Sequence, residues 1–254
     1  MLVFSFASIA FADSTRMIWT TTRSTGAQRD LAKSLLDSGD VIIFHYGQGQ
    51  DPTQSQIDAL KAVTAVPDNR KGFEFFSLAE IKEHAQTVAN AGFGIIAYDL
   101  EGVSPSEDRA NVVASFTAAK QAADAAGLEL MAVPSNAIDR GQYADDIAKL
   151  VDWYHLQSQP YQDDDTTCTK MKNWVVNRVS FLENANPALA NKITYQVTLS
   201  QGAASGKTIY QTARDCIQAT SPTSVDGNSI WWNAASFDNG DYRRLLTYHE
   251  TRYS

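Results

Sequence analysis

Two carboxylates stand at the end of one apolar run. Residues 94–102 read GIIAYDLEG, so Asp99 and Glu101 follow five mostly apolar residues and are separated by Leu100. Side chains alternate between the two faces of a strand, which puts both carboxylates on one face with Cα atoms about 6–7 Å apart. Like charge and partial burial raise the pKa of one carboxyl in such a pair. A raised-pKa acid beside an ionised partner is what general-acid cleavage of a glycosidic bond requires.

Eight strand-like runs alternate with Ala-rich segments of helical spacing. The runs are MIWTT from Met17, VIIFHYG from Val41, FEFFS from Phe73, GIIAYDLE from Gly94, LELMAVPS from Leu128, DWYHLQSQ from Asp152, ITYQVTLS from Ile193 and SIWWNA from Ser229. This alternation predicts parallel strands joined by right-handed crossovers. Eight units in this length predict an α/β fold of the (β/α)8 TIM-barrel type, as one domain over residues 13–254. The alternative is a doubly wound open sheet, but RSTGAQRD after the first strand has only one glycine.

The active site of a TIM barrel lies at the carboxyl ends of its strands. Polar or aromatic candidates for substrate binding near those ends are Tyr46, Gln157, Gln159, Gln196, Trp231 and Trp232. Amide side chains recognise hydroxyl and amide groups, and an indole ring stacks on a sugar ring. The structural alternative is that the amides bond within the barrel and that the tryptophans belong to the core.

Histidines near the same strand ends suggest metal binding as an alternative. His45 and His155, with Asp99 and Glu101, would make a mixed nitrogen and oxygen metal site. No HxH or HxxxH spacing supports it, so the prediction is that no metal and no other cofactor is needed. His84 is expected on the surface of a helix.

Composition and charge narrow the range of partners. Of 254 residues, 44% are hydrophobic and 20% charged, as in an ordinary globular protein. The net charge of −8, without a Lys/Arg cluster, argues against nucleic acid and anionic membrane surfaces as partners. The carboxylate pair and its polar surroundings lead us instead to expect a carbohydrate substrate or ligand, and the chain is expected to be monomeric.

The N-terminus and the two cysteines bear on localisation. Residues 1–12, MLVFSFASIAFA, have the apolar run and small-residue end of a secretory signal peptide, with a hydrophobic N-terminal strand as the alternative. The prediction is a secreted protein without membrane association once the signal is cleaved. Cys168 and Cys216 would then form a disulfide, although the predicted helices place them at opposite ends of neighbouring helices, so pairing stays open.

The YDLE sequence that ends the fourth strand resembles the DxE motif of the chitinase and endo-N-acetylglucosaminidase clan of glycoside hydrolases. More loosely, it resembles the lysozyme-like barrels that carry a similar pair. The resemblance implies a TIM barrel in which Glu101 is the general acid. It implies that Asp99 orients the acetamido group of the substrate, whose oxygen attacks the anomeric carbon. It also implies that Trp231 or Trp232 floors the sugar site.

The chain departs from the chitinase signature at two places in the same strand. The two upstream aspartates of that signature correspond to Gly94 and Ala97 here. Three hypotheses follow. The first is a secreted glycoside hydrolase that cleaves an extracellular polysaccharide or glycan by carboxylate acid/base chemistry. The second is a non-catalytic barrel that binds glycan or cell-wall material, and the third is a metal-dependent hydrolase.

Overall fold

Eight parallel strands pair in chain order, and β8 pairs with β1, so the sheet closes into a barrel. The computed structural model describes residues 15–21, 34–45, 49, 51–139, 142–162, 166–200, 202–220, 227–231 and 240–253. The strands are β1 (Thr15–Thr21), β2 (Val41–His45), β3 (Lys71–Phe75), β4 (Ile95–Leu100), β5 (Glu129–Pro134), β6 (Trp153–Leu156), β7 (Ile193–Thr198) and β8 (Gly227–Trp231). The predicted TIM-barrel fold is confirmed.

Helices alternate with these strands along the chain. They are α1 (Gln54–Lys61), α2 (Leu78–Asn90), α3 (Ser106–Ala110), α4 (Val112–Ala125), α5 (Asn136–Asp139), α6 (Ala144–Leu150), α7 (Thr169–Ala185), α8 (Ile209–Thr220) and α9 (Asp241–Tyr253). Within the described ranges, no helix has both the length and the apolar character needed to cross a membrane.

Helix α2 shows how local sequence sets these elements. The Ser77 hydroxyl accepts a hydrogen bond from the Glu80 amide at 3.1 Å and donates one to the Glu80 carboxylate at 2.9 Å. This reciprocal cap satisfies amides that the first helical turn leaves without partners. After the last turn, Gly92 adopts a φ of +87°, a left-handed conformation that glycine reaches without strain. The buried face includes Ile81 and Val88, which pack against the sheet.

The strands divide their side chains between two cores. The inner core consists of apolar residues inside the barrel, and its members are Met17, Val41, Ile43, Ile95, Ala97, Met131, Val133 and Trp153. The alternate residues of β4, Ile96, Tyr98 and Leu100, belong to the larger core between sheet and helices. Because side chains alternate along a strand, Asp99 continues the inward row of Ile95 and Ala97, as predicted.

A polar layer lies inside the barrel around His155. Its Nδ1 is 2.8 Å from the Thr194 hydroxyl, and its Nε2 is 3.2 Å from the Ser229 hydroxyl. Burial lowers the pKa of His155 to about 3, so the ring is neutral. Both ring nitrogens are therefore occupied one layer below the strand ends. This arrangement does not favour the alternative that makes His155 a metal ligand beside His45.

The opposite end of the barrel is closed around Trp153. The indole Nε1 donates to Glu129 at 2.6 Å, and Glu129 also pairs with Lys192 at 2.6 Å. The Arg70 guanidinium lies 5.6 Å and the Lys192 ammonium 5.4 Å from the centre of the Trp153 ring. Cation–π contacts and hydrogen bonds thus fix a large side chain across the floor of the barrel.

Two expectations from the sequence were wrong, one for Gln159 and one for His84. Strand β6 ends at Leu156, and Gln159 begins a 3-10 helix, Gln159–Tyr161, rather than continuing the inward row. Pro160 explains this, since proline has no amide hydrogen for a sheet ladder. His84 is buried rather than on the surface, because its ring stacks on Phe75 at 5.6 Å.

The two cysteines form a disulfide. Cys168 and Cys216 have Cα atoms 5.0 Å apart, within the range that a disulfide spans. Cys168 precedes α7 in a left-handed conformation with φ of 56°, and Cys216 lies within α8 rather than at its end. The predicted placement of the cysteines at opposite ends of neighbouring helices was therefore wrong.

Removing this crosslink should lower stability without changing the fold. The bond joins residues 48 apart in sequence, and a loop of that size contributes about 2–4 kcal/mol by restricting the unfolded chain. We expect a Cys168→Ser/Cys216→Ser variant to melt roughly 5–15 °C lower than the wild type. Reductant should lower the melting temperature of the wild type and leave that of the double variant unchanged. An unchanged wild-type melting temperature in reductant would contradict the pairing.

The buried imidazole predicts a specific pH dependence of stability. In the unfolded chain His155 takes up a proton as the pH falls below about 6.5, whereas the folded chain resists until about 3. The free energy of unfolding should therefore fall through this window, by about 2–3 kcal/mol at two units below 6.5. His155→Gln should be less stable than wild type at pH 7.5, and the gap should narrow at pH 4.5. A gap that stays constant with pH would refute this account.

Candidate active site

Asp99 and Glu101 lie at the carboxyl end of β4, where the sequence places them. Asp99 is 6% exposed, and Glu101, the residue directly after the strand, is half-buried. Their positions on one inward row put Glu101 nearer the opening and Asp99 one layer below. Glu101 is thus the carboxyl group within reach of a ligand at the mouth.

A tight turn fixes the backbone around Glu101. The Ser104 hydroxyl donates to the Asp99 carbonyl at 3.0 Å and accepts from the Glu101 amide at 3.0 Å. The Ser104 amide donates to the Glu101 carbonyl at 3.1 Å, which closes a four-residue turn. One buried hydroxyl therefore links the backbone at both carboxylate residues.

The amide side chain of Gln157, the residue directly after β6, orients Asp99. Gln157 Nε2 donates to Asp99 Oδ1 at 3.2 Å. The backbone of Gln157 is held in turn by Asn136, whose Nδ2 donates to the Gln157 carbonyl at 2.6 Å. Gln157 was predicted to bind substrate, and the contact that it makes here is with the Asp99 carboxyl group.

Glu74 is a third carboxyl residue of the site, and it was missed from sequence. It is 2% exposed on β3 and hydrogen-bonds through Oε2 to Nδ1 of His45 on β2. Phe73 and Phe75 on either side pack into the outer core, so Glu74 is the side chain of this segment that points into the barrel. The Phe-Glu-Phe alternation was the signal that could have revealed it.

The carboxyl groups of Glu74 and Asp99 interact across adjacent strands. Burial raises the pKa of Asp99 well above its usual value, and the charges of Glu74 and Glu101 raise it further. Burial likewise raises the pKa of Glu74. Because burial raises both pKa values and the two groups interact, the pair retains a proton at a pH where separate carboxyl groups would both be ionised.

His45 and Glu101 lie close enough to affect each other's pKa. Burial lowers the pKa of His45 to about 4, and the nearby charge of Glu101 opposes this shift. The imidazole is therefore neutral at neutral pH and bonds to Glu74 as a neutral ring. Partial burial raises the pKa of Glu101, and His45 limits the rise. Glu101 keeps its proton to a higher pH than an exposed glutamate does.

Two predicted binding amides occupy different settings. Gln196 is buried on β7, and its backbone amide and carbonyl bond to the Ser158 hydroxyl at 3.2 and 2.6 Å. Gln159 is half-buried in the turn after β6, and its Oε1 is buried without a hydrogen-bond partner among the described residues. Neither amide contacts Asp99, which distinguishes both from Gln157.

Three aromatic candidates are not placed by the structure. Tyr46 and Trp232 lie outside the described residues, and Trp231 is described only as backbone at the end of β8. Their predicted roles in binding stay predictions. Over the described ranges, no group of three or more His, Cys, Asp or Glu side chains has the geometry to hold a metal ion.

The arrangement suits proton donation to a ligand. Glu101 is an accessible carboxyl with a raised pKa, and Asp99 beneath it is a buried carboxyl whose pKa is raised as well. A general acid must keep its proton near the working pH and still be able to give it up, which a raised pKa allows. The site can thus protonate a leaving oxygen at its outer carboxyl.

Solved structures with the same fold include chitinases. A GH18 chitinase from Pseudoalteromonas aurantia has a TM-score of 0.61 at 13% identity, covering 93% of this chain and 99% of that one. The catalytic domain of a hyperthermophilic chitinase from Pyrococcus furiosus has a TM-score of 0.63 at 9% identity, with 96% and 97% covered. The spore cortex-lytic enzyme SleL from Bacillus megaterium has a TM-score of 0.56 at 10% identity, covering 93% and 74%. No protein-family model and no curated protein sequence matches the chain.

Loss of the Ser104 hydroxyl should disturb the turn that carries Glu101. Ser104→Ala leaves the Asp99 carbonyl and the Glu101 amide without this partner, which costs about 1–3 kcal/mol of unfolding free energy. Chemical denaturation would measure the loss. The matched control is Ser106→Ala, since Ser106 is exposed and bonds only to its neighbour Glu107 at 3.4 Å. Equal stability of the two variants would show that the Ser104 bridge is not formed.

Proposed function

We propose that the protein is a glycoside hydrolase with Glu101 as its general acid. The single observation that carries the proposal is the stacked pair of inward carboxyl residues, with an accessible, raised-pKa Glu101 above a buried Asp99. Glycosidases use a carboxylic acid of raised pKa to protonate the leaving oxygen. The likeness in fold to chitinases supports the choice of reaction class.

The proposed substrate is a polysaccharide or glycan containing N-acetylated sugars. A carboxyl oxygen of Asp99 can accept a hydrogen bond from an amide N–H of the substrate. Together with Gln157, Asp99 would position an acetamido group through its N–H, which leaves the acetamido oxygen free to attack the anomeric carbon as the bond to the leaving oxygen breaks. Glu101 would donate its proton to the departing glycosidic oxygen, and the resulting carboxylate would then take a proton from the attacking water. Chitin oligosaccharides and peptidoglycan are the first substrates to try.

We also propose that the protein acts outside the cell. The apolar residues 1–12 favour export, and the Cys168–Cys216 disulfide fits an oxidising compartment. Carbohydrate polymers outside the cell are the corresponding substrates. Expression with residues 1–12 followed by fractionation and N-terminal sequencing would test export, and retention of an uncleaved chain in the cytosol would contradict it.

Replacement of Glu101 should abolish turnover and leave the fold intact. Loss of a general acid costs about 10²–10⁴-fold in rate. Wild-type protein and Glu101→Gln should be assayed on chitin oligosaccharides, peptidoglycan, and α- and β-linked glucans and galactosaminides. The matched control is Glu107→Gln, because Glu107 is an exposed glutamate on the following helix α3.

Each outcome of this screen has a distinct meaning. Cleavage by wild type and Glu107→Gln but not by Glu101→Gln, with equal melting temperatures, establishes the proposed role. Equal cleavage by all three proteins removes Glu101 from the mechanism. Binding of oligosaccharides without cleavage by any protein would instead identify a glycan-binding barrel. Activity that a chelator abolishes would favour metal-dependent hydrolysis.

A further inference from the structure

Glu74 is a buried carboxyl residue that the proposed reaction does not itself use. It lies on β3 between β2 and β4, and the strand register pairs it with His45 on one side and Ala97 on the other. Ala97 precedes Asp99 on the inward row of β4, so Glu74 enters the barrel one layer below Asp99. A fully buried carboxyl group lowers the stability of the fold unless polar partners surround it.

The partners of Glu74 connect it to the reacting end of the barrel. On β2, His45 Nδ1 bonds to its Oε2. On β4, the Asp99 carboxyl is close enough to interact with it, and Glu101 lies within coulombic reach. His45, Asp99 and Glu101 are thus the titratable groups that act on Glu74 from the neighbouring strands. It therefore has a fixed partner on one side and the inner carboxyl of the site on the other.

Small side chains around Glu74 make room for it. Ala97, its register partner, has only a methyl group, and Gly72 is the preceding inward residue on its own strand. A Cβ at Gly72 would lie 2.1 Å from the Ile95 carbonyl oxygen, so β3 and β4 approach closely there and no larger residue fits. With alanine at position 97, β4 supplies no carboxylate opposite Glu74. The second buried carboxyl of the site comes from the neighbouring strand.

We propose that Glu74 is a positioning residue for Asp99, holding its carboxyl group in a fixed orientation through a shared proton while His45 anchors the far side of Glu74. This rests on the proposed function, since Asp99 matters only if the site is catalytic. The proton-bearing oxygen of Asp99 is then held in one direction. The other oxygen, Oδ1, accepts a hydrogen bond from Gln157 Nε2 at 3.2 Å. His45 is 21% exposed, so the buried pair also has a connection to solvent apart from Glu101.

The pH dependence of activity reports this role. The charge of Glu74 and its hydrogen bond both raise the pKa of Asp99. Glu74→Gln removes the charge and offers an amide donor, so Asp99 should lose its proton at a lower pH. If the active form needs protonated Asp99, the alkaline limb of kcat/KM moves to lower pH by about one unit or more. The variant should also lose about 10-fold or more in kcat, with a smaller change in KM.

Stability separates positioning from a structural role. An acid whose folded pKa is raised binds its proton more tightly in the folded chain, so the free energy of unfolding falls as the pH rises from the unfolded value towards the folded one. Glu74→Gln removes the titrating group that causes this fall in the free energy of unfolding. It should be as stable as wild type at pH 6 and at least as stable at pH 8.5, although less active. A variant that melts earlier at both values would mean that Glu74 serves the fold.

The experiment compares wild type, Glu74→Gln, Glu74→Asp and Glu129→Gln. Glu129→Gln is the matched control, because Glu129 begins β5 at the opposite end of the barrel. Its pH profile should match wild type. Glu74→Asp keeps a carboxyl group and should return the alkaline limb towards the wild-type position even where kcat stays low. Superimposable profiles of wild type and Glu74→Gln would overturn the proposal.

A second measurement does not depend on turnover. Carbon-13 NMR of labelled aspartate carboxyl groups in the full chain gives the titration of Asp99, assigned with Asp99→Asn. The Asp99 midpoint should fall by at least one pH unit in Glu74→Gln, and an unchanged midpoint would overturn the proposal. If wild type cleaves no glycan, the proposed function fails, and this titration still decides whether Glu74 controls the proton on Asp99.

Discussion

The repulsion among buried carboxyl groups is the constraint around which the mouth of this barrel is built. Glu74, Asp99 and Glu101 lie within coulombic reach of one another, and low exposure keeps water from screening their charges. The two inner groups are stable together only when a proton is retained between them. Gln157 and His45 then supply the hydrogen bonds that remaining oxygens require. The outer group, Glu101, stays accessible at the mouth.

Sequence periodicity was sufficient to predict the barrel and the inward position of Asp99 and Glu101. The alternation along β4 predicted that Asp99 and Glu101 face inward, because Ile96, Tyr98 and Leu100 on the other parity are apolar or outward-facing. This inference needs only local sequence, since the period of a strand is fixed by its backbone. The same rule applied to the Phe-Glu-Phe alternation of β3 would have identified Glu74.

Cross-strand relations were not available from sequence. Nothing local to β3 states that Glu74 lies opposite Ala97, because register depends on how the whole barrel closes. The disulfide was left open for a similar reason, since the relative height of α7 and α8 could not be judged. Gln159 was placed on a strand because the inward parity of β6 was extended past Leu156, up to the residue before Pro160. Residues buried by tertiary packing, such as His84, also carry no local mark of their burial.

The closed floor of the barrel has a consequence for the path of a ligand. Trp153 lies across the amino-terminal end of the barrel and is pinned by Glu129, Lys192 and Arg70. Above it, the layer around His155 fills the interior. The interior of a (β/α)8 barrel is filled by side chains, and the inner core and the layer around His155 fill it here. A ligand at the carboxyl groups would therefore enter and leave by the same end, and a polymer of the proposed kind would lie across the opening instead of threading through it.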